Sequence, residues 1–572
     1  MSLQNITNDQ LHTLSFASAG EQARALAEGR VSAVALLEHL LARIDRFDGA
    51  LNAVPAAAAN AAPHTEPDTA PRHKPGSVVT LLTALEPPTL VGLVNSAAGT
   101  FLVSPKAVEG LLSYDFELRP RPQLAVAWEV QPDGLQYTFR LRRGVKWHDG
   151  RPFTSADVAF SILALKQSHP RGRATFASVS EVRTPDAHTA VLVLSKPAPF
   201  LLTALAAAES PIVPRHVYEG RDLASHPANN APIGTGPFVF KEWQRGSHII
   251  YERNPDYWDA GKPYIDRLVV RFVPDPAAAA AALESGTVDL AGATPVPIPD
   301  LDRLKALPHL SLDTRGNEYF NNSTTRIEFN LDNQYFRHAK VRQAVAHAID
   351  REVILKTVWY GYGLAAPGPI SPVLRAFYEP AAGVPGFDRK RAEALLDEAG
   401  FARGADGVRF RVSHDVFDGG GNRVGQYIRQ ALARVGIDVT VRTQEFGAYI
   451  KRVYTDRDFD FNNQGMSQMF DPAVGIQRFY WSKNFRPGVP FSNGAHYDNP
   501  EVDRLLEAAA VENDAAKRRA LYAEFQRVIA RELPTIGLVA VAQVTVANRR
   551  IGGHTVGAEG LSGNFADLHL KG

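Results

Sequence analysis

Between residues 135 and 141 the apolar Leu135, Tyr137, Phe139 and Leu141 alternate with Gln136, Thr138 and Arg140. This period of two predicts a strand with one buried face. The dipeptides Asp133-Gly134 and Asp149-Gly150 supply flanking turns. Thr154 followed by Asp157 resembles a capping box and opens a helix through Val158, Ile162 and Leu165. Earlier, Leu26, Val34, Leu37, Leu41 and Ile44 recur at helical spacing, with Gly29 as punctuation and Ser32 placed to cap, which predicts a helical pair. Residues 55–74 show no periodicity and are rich in Ala, Pro, Thr and His, as a linker is. After a boundary near residue 75, residues 78–82 read as a short strand. Asp275-Pro276 caps and starts an alanine-rich helix that ends at Ser285-Gly286, ahead of a strand over 288–290. Strand 408–412, helix 424–435 and strand 437–441 form a βαβ-like unit, and Asn499-Pro500 opens a helix through Leu505 and Leu506. No short repeat is present. The pattern is mixed α and β.

Composition narrows the class. A chain of 572 residues has room for two or three folded units. Its 45% hydrophobic and 22% charged residues are those of a folded globular protein. Lys and Arg total 62 against 61 for Asp and Glu, so no basic footprint for nucleic acid exists. The absence of cysteine removes disulfides, thiolate-bound metals and a thiol nucleophile. No segment reaches the roughly 18 to 20 apolar residues that span a bilayer. The first 14 residues lack the basic and apolar regions of an export signal, so none is expected in the chain as written.

Candidate chemistry is sparse. FDGGGNRVG, residues 417–425, lies between a strand and a helix but places Val424 where a dinucleotide loop needs its last glycine. Glu445 could mimic a ribose-binding acid, although a plain strand-to-helix turn explains the stretch better. His148-Asp149 could pair as base and orienting acid, but sits in a turn. His347 and Asp350 share a helix face without a third ligand. The 17 histidines include no H-x-x-x-H pair, and no G-x-S-x-G elbow occurs. No cofactor or metal is implied, and what remains is enclosure of a ligand between domains.

Five segments after residue 75 carry a resemblance. They are LRRGVKWHDGRPFTSADV at 141–158; GTGPFVFKEW at 234–243 with RNPDYW at 253–258; AALESGTVDLAG at 281–292; VRQAVAHAIDREVI at 341–354; and Asp471-Pro472 with DNPEVDRLL at 498–506. In order and spacing they resemble the peptide-type (family 5) extracellular solute-binding proteins of ATP-binding-cassette (ABC) importers. The resemblance implies an α/β, two-lobed periplasmic-binding-protein (Venus flytrap, class II) fold with two hinge crossovers, near residues 310 and 535. Lobe I would comprise 75–310 plus 535–572, and lobe II 311–534. It also implies a monomer without catalytic activity, which closes on a peptide or other small solute in the periplasm and delivers it to an ABC permease of the inner membrane; with no export signal expected, a cytoplasmic sensor on the same fold is the alternative. No nucleic acid is expected as a partner.

Peptide binders of the family hold the ligand amine with an aspartate a few residues before the Asp-Pro matched by Asp471-Pro472. Here that position is Gln468, and GMSQMF, residues 465–470, contains no acid. Either Asp471 substitutes or the ligand is not an ordinary zwitterionic peptide. Arg375 falls where the family often sets an arginine against a ligand carboxylate. Tyr319, Tyr480, Trp481 and Asn493 flank the matched motifs and are further cleft candidates, although core aromatics and a turn asparagine explain them equally.

Residues 23–54, ARALAEGRVSAVALLEHLLARIDRFDGALNAV, resemble instead the N-terminal helices of amidase-signature enzymes. The Gly-Ser-rich core that carries that family's Ser-Ser-Lys triad is absent. An amidohydrolase is therefore the disfavoured alternative, and residues 1–54 read as a fragment brought in place of an export signal by a rearrangement or a mis-set start, with an adopted interaction module as the alternative; its apolar stripe would have been covered by the lost enzyme body.

Overall fold

The chain divides after Ala70. A computed structural model describes residues 71–320, 322–417 and 421–571, so the helical pair and linker expected before residue 71 lie outside the described residues.

The first sheet is built on Val78–Thr83, which runs parallel to Arg267–Phe272 on one side and to Leu290–Ala291 on the other. Val79, Leu81, Leu268 and Val270 are wholly buried, the near-continuous apolar character that strands covered on both faces require. Antiparallel strands His248–Arg253 and Phe238–Gln244 extend one edge. Thr545–Asn548 and then Leu310–Asp313 extend the other. The alternating stretch of the sequence lies in a separate four-stranded antiparallel sheet, as strand Gln136–Leu141, with Tyr137, Phe139 and Leu141 inward. Gly134 and Gly150 adopt φ of 69° and 86° in its flanking turns, a region open to glycine. The Asp157 carboxylate accepts from the Thr154 N–H at 2.9 Å and starts helix Ser155–Ser168.

The second sheet has six strands in the order Gly363–Ala365, Thr535–Val541, Ser323–Phe329, Phe461–Ser467, Phe410–Phe417 and Ile437–Gln444. The last two pair in parallel around helix Gly421–Ala433, as the βαβ pattern predicts. Phe410–Phe417 is also parallel to Phe461–Ser467. The expected caps form: Asp275 accepts from the Ala278 N–H, and Asn499 from Glu501 and Val502.

The two sheets are joined by residues 314–322 and 542–544. The first passage follows strand Leu310–Asp313 of the first sheet. The second lies beyond residue 535, because Thr535–Val541 pairs with Ser323–Phe329 in the second sheet. Leu533, with φ of 48°, and Pro534 end helix Ala515–Glu532 and imitate a domain boundary. The TIGLVAV run behind them is nearly all buried, as an interior strand must be.

Candidate functional site

The residues singled out on sequence fall into the scaffold around residues 465–497. Gln468 is buried, and its amide is fully engaged. Its Oε1 accepts from the Ser371 N–H at 2.6 Å, while Nε2 donates to Thr324 Oγ1 at 3.0 Å and to the Pro369 carbonyl at 3.1 Å. A Cβ at Gly475 would strike the Gln468 carbonyl, so only glycine lets the following turn close there.

Asp471 is 1% exposed and caps helix Pro472–Gly475 through the Ala473 N–H. Arg518 grips the same carboxylate with two bonds of 2.7 and 2.8 Å. Burial tends to lower the Arg518 pKa, but the Asp471 charge and hydrogen bonds outweigh it and raise it. Asp471 therefore cannot hold a ligand amine without abandoning a buried arginine.

The aromatic candidates are similarly engaged. Tyr319 donates to the Thr203 carbonyl at 2.6 Å and stacks on Phe470 at 4.8 Å. The Tyr480 hydroxyl meets Thr535 Oγ1 at 2.6 Å, and Trp481 Nε1 donates to Glu507 at 2.8 Å. Asn493 folds onto Tyr497, accepting from its N–H and donating to its carbonyl. Arg375 is exposed and acts electrostatically on Glu318, whose carboxyl burial has pushed up.

The histidine and glycine-loop motifs resolve in the same way. His148 Nδ1 accepts from the Gly234 N–H at 3.2 Å and Nε2 lies 3.0 Å from the Gly236 carbonyl, which fixes a neutral tautomer. Burial pulls its pKa down to about 4. Asp149 meets His216 instead of His148. His347 lies 2.8 Å from the Gly386 carbonyl through Nδ1, and Asp350 caps helix Arg351–Thr357. Glu445 caps helix Phe446–Ile450 by accepting from the Gly447 and Ala448 N–H groups.

A ligand-sized space opens elsewhere. A cavity of about 480 Å³ is walled on the first-sheet side by residues 293–298, which follow the C-terminal end of Leu290–Ala291. On the second-sheet side it is walled by Ser323, Thr325, Phe417, Arg423 and residues 463–465, with Trp359 beside them. Val541 and Gln543 line it where the chain crosses back. The cavity thus lies outside the carboxyl ends of parallel strands in both sheets, where open α/β sheets leave crevices and helix N-termini. Its volume suits a small solute. None of the seven residues expected from sequence lines it. The available signal was positional: FDGGGNRVG follows a parallel strand, and its flanks Phe417, Arg423 and Val424 reach the cavity.

Three lining side chains carry buried polar atoms without a hydrogen-bond partner among the described residues: Trp359 Nε1, Asn463 Oδ1 and Gln464 Oε1. Two of these belong to the fold: the Asn463 amide adjoins the buried His414 ring, and Gln464, next to it on the strand, turns to the other face toward Glu328 and Tyr454. Among the described residues no group of three or more His, Asp or Glu side chains is placed to hold a metal ion. No described helix is long and apolar enough to cross a membrane.

Residues 119–487 match the middle region of bacterial extracellular solute-binding proteins, family 5. The chain is 30% identical over 457 residues to di/tripeptide-binding protein 2 of Pseudomonas aeruginosa, covering 76% of this chain and 83% of that one. It is 27% identical over 470 residues to the glutathione-binding protein GsiB of Salmonella choleraesuis, covering 80% and 88%. The solved structure of AgaA from A. tumefaciens R10, in complex with agropinic acid, superposes with a TM-score of 0.67 at 27% identity, covering 87% of this chain and 99% of that one. Two hinged α/β lobes around a cavity define a solute-binding protein of the periplasmic type. The chain belongs to the family 5 extracellular solute-binding proteins, and it is the solute-binding component of an ABC importer.

Proposed function

We propose that the chain captures a peptide or peptide-like solute in the cavity between its lobes, outside the inner membrane, and presents the closed form to an ABC permease as a monomer. The observation that carries this reading is the cavity itself, which takes its walls from both lobes and its floor from the residues where the chain crosses between them. A solute touching both walls makes its full set of contacts only when the lobes are together, so it draws the hinge equilibrium toward closure. The permease then reads the closed state. The P. aeruginosa and S. choleraesuis relatives, named for di/tripeptides and glutathione, support a peptide-like cargo. Binding proceeds without turnover.

A thermal-shift screen of the full chain against pools of di- to pentapeptides, blocked peptides and glutathione tests this, with mass spectrometry of the recovered solute. A ligand that binds only the folded state raises the melting temperature. The expected result is a rise of several degrees with one pool and its members recovered intact. Cleavage of the solute, or no rise with any pool, would overturn the reading.

A further inference from the structure

The cavity carries apolar side chains on both of its faces. On the first-sheet side they are Val296, Pro297 and Ile298, and on the second-sheet side Phe417, Val424 and Val541. Each face is rooted in the packing of its own lobe. Val296 and Ile298 join the cluster around Leu283 and Leu301. Val424 and Val541 join that around Ile428 and Leu538, and the Phe417 ring lies 5.3 Å from that of Tyr449. Ile298, Phe417 and Val541 are only partly buried, so each keeps apolar surface on the cavity. Water between two such faces is readily exchanged for an apolar group of the solute.

The backbone of the first-sheet face is set in advance. Residues 294–300 read TPVPIPD, with prolines at 295, 297 and 299 that fix their own φ and restrict the residue before each. Ala293 and Thr294, just ahead, both take left-handed φ, 59° and 55°, which is unfavourable for a β-branched threonine. Val544 keeps Thr294 there. The Thr294 N–H donates to the Val544 carbonyl at 3.0 Å, and the Val544 N–H donates to Thr294 Oγ1 at 3.1 Å. Val544 belongs to the second passage between the sheets, so this face of the cavity is tied to the hinge itself. Strained backbone of this kind is kept where a site needs a surface already in place. A wall that is ordered beforehand loses little freedom when a solute arrives.

We propose that this cavity selects a peptide-like solute with a bulky apolar side chain, of leucine or phenylalanine size, which lies between Ile298 on one face and Phe417 and Val541 on the other. Such a side chain meets both faces only when the lobes are together, so the burial that selects it also favours closure. The inference rests on the cavity being the solute site.

The test uses the full chain and two matched pools of di- and tripeptides, each in free and N-acetylated form. One pool is built only of Gly and Ala, and in the other one residue is replaced by Leu, Met or Phe. Thermal shift ranks them, and titration calorimetry follows on the best apolar member and its Ala counterpart. The apolar member should bind at least about tenfold more tightly, as burial of a Leu or Phe side chain predicts, with a more negative heat-capacity change. Ile298→Ser should cut that preference to about threefold, while Ile298→Leu, which keeps the apolar surface, should retain it. If Ile298→Ser does not fold, Ile298→Ala takes its place. Equal or tighter binding of the Ala counterpart overturns this inference and leaves the solute-binding function standing. So does an undiminished preference in the folded Ile298→Ser or Ile298→Ala protein. No shift with either pool overturns the peptide-like reading and this one together.

Discussion

The segment from Gln468 to Asn493 and the cavity around Trp359, Arg423 and Asn463 are built by opposite rules. In the first, every polar side chain picked out by motif is engaged with a neighbour: Gln468 with Ser371, Thr324 and Pro369, Asp471 with Arg518, and Asn493 with Tyr497. In the second, hydroxyls, the Trp359 indole and one exposed guanidinium, Arg423, line an open space. A family motif preserves what the fold needs in order to close on itself. A ligand is met by groups that face open space, and those need share no motif.

If that contrast is right, damage to the first region should appear as lost stability. The largest effect is expected for Asp471→Asn. Asparagine still caps the helix, but the buried Arg518 loses its counter-charge, a loss of about 4 kcal/mol. Urea denaturation measures it. The folded fraction should bind solute with unchanged affinity, and weaker binding at full folding would return Asp471 to the ligand site.

His414 tests what a buried polar side chain costs away from the cavity. It is fully buried, stacks on Phe461 at 4.2 Å and does not line the cavity. Burial, outweighing the adjacent Asn463 amide, brings its pKa down to about 3. The unfolded chain takes up a proton near pH 6.5 and the folded chain only near 3, so stability falls as pH drops through that window. His414→Phe keeps the stack and removes the titration. Relative to the parent it should gain stability progressively below pH 6.5, reaching about 3 kcal/mol at pH 4.5. A parallel loss in both proteins on acidification would show that His414 does not contribute.

Gln468→Leu should cost about 2 kcal/mol, since it leaves the Ser371 N–H and the Pro369 carbonyl buried and unpaired. Here too affinity should hold. Reading this position from sequence shows where legibility ended. Local order was plain: the alternation at Tyr137 and Phe139, the Asp275-Pro276 and Asn499-Pro500 caps and the βαβ unit depend on neighbours a few residues apart. The substitution of an amide for an acid at Gln468 was equally visible. What it meant was not, because the partners of that amide, Ser371, Pro369 and Thr324, lie 97, 99 and 144 residues before it. For the same reason Thr535–Val541 was assigned to the wrong sheet: its partner is Ser323–Phe329, and only pairing reveals it. The cavity residues come from positions 294, 325, 359, 423, 463 and 543, with no spacing to detect. Only the rule that parallel strands open at their carboxyl ends would have led from the glycine loop to this site.

The smallest effect is the most discriminating. Trp359 packs partly against the second lobe's core while its indole Nε1 is buried without an acceptor among the described residues. Trp359→Phe keeps an aromatic ring on the cavity wall and removes only the donor and the outer ring edge. If a solute accepts from that N–H, the change should weaken binding about fivefold, roughly 1 kcal/mol, at nearly constant stability. If it does not, the variant is relieved of an unpaired buried donor, so its melting temperature should rise while affinity stays the same. Measured together by calorimetry and thermal denaturation, the two outcomes move different quantities. A rise in stability alone would remove Trp359 from the groups that meet the solute.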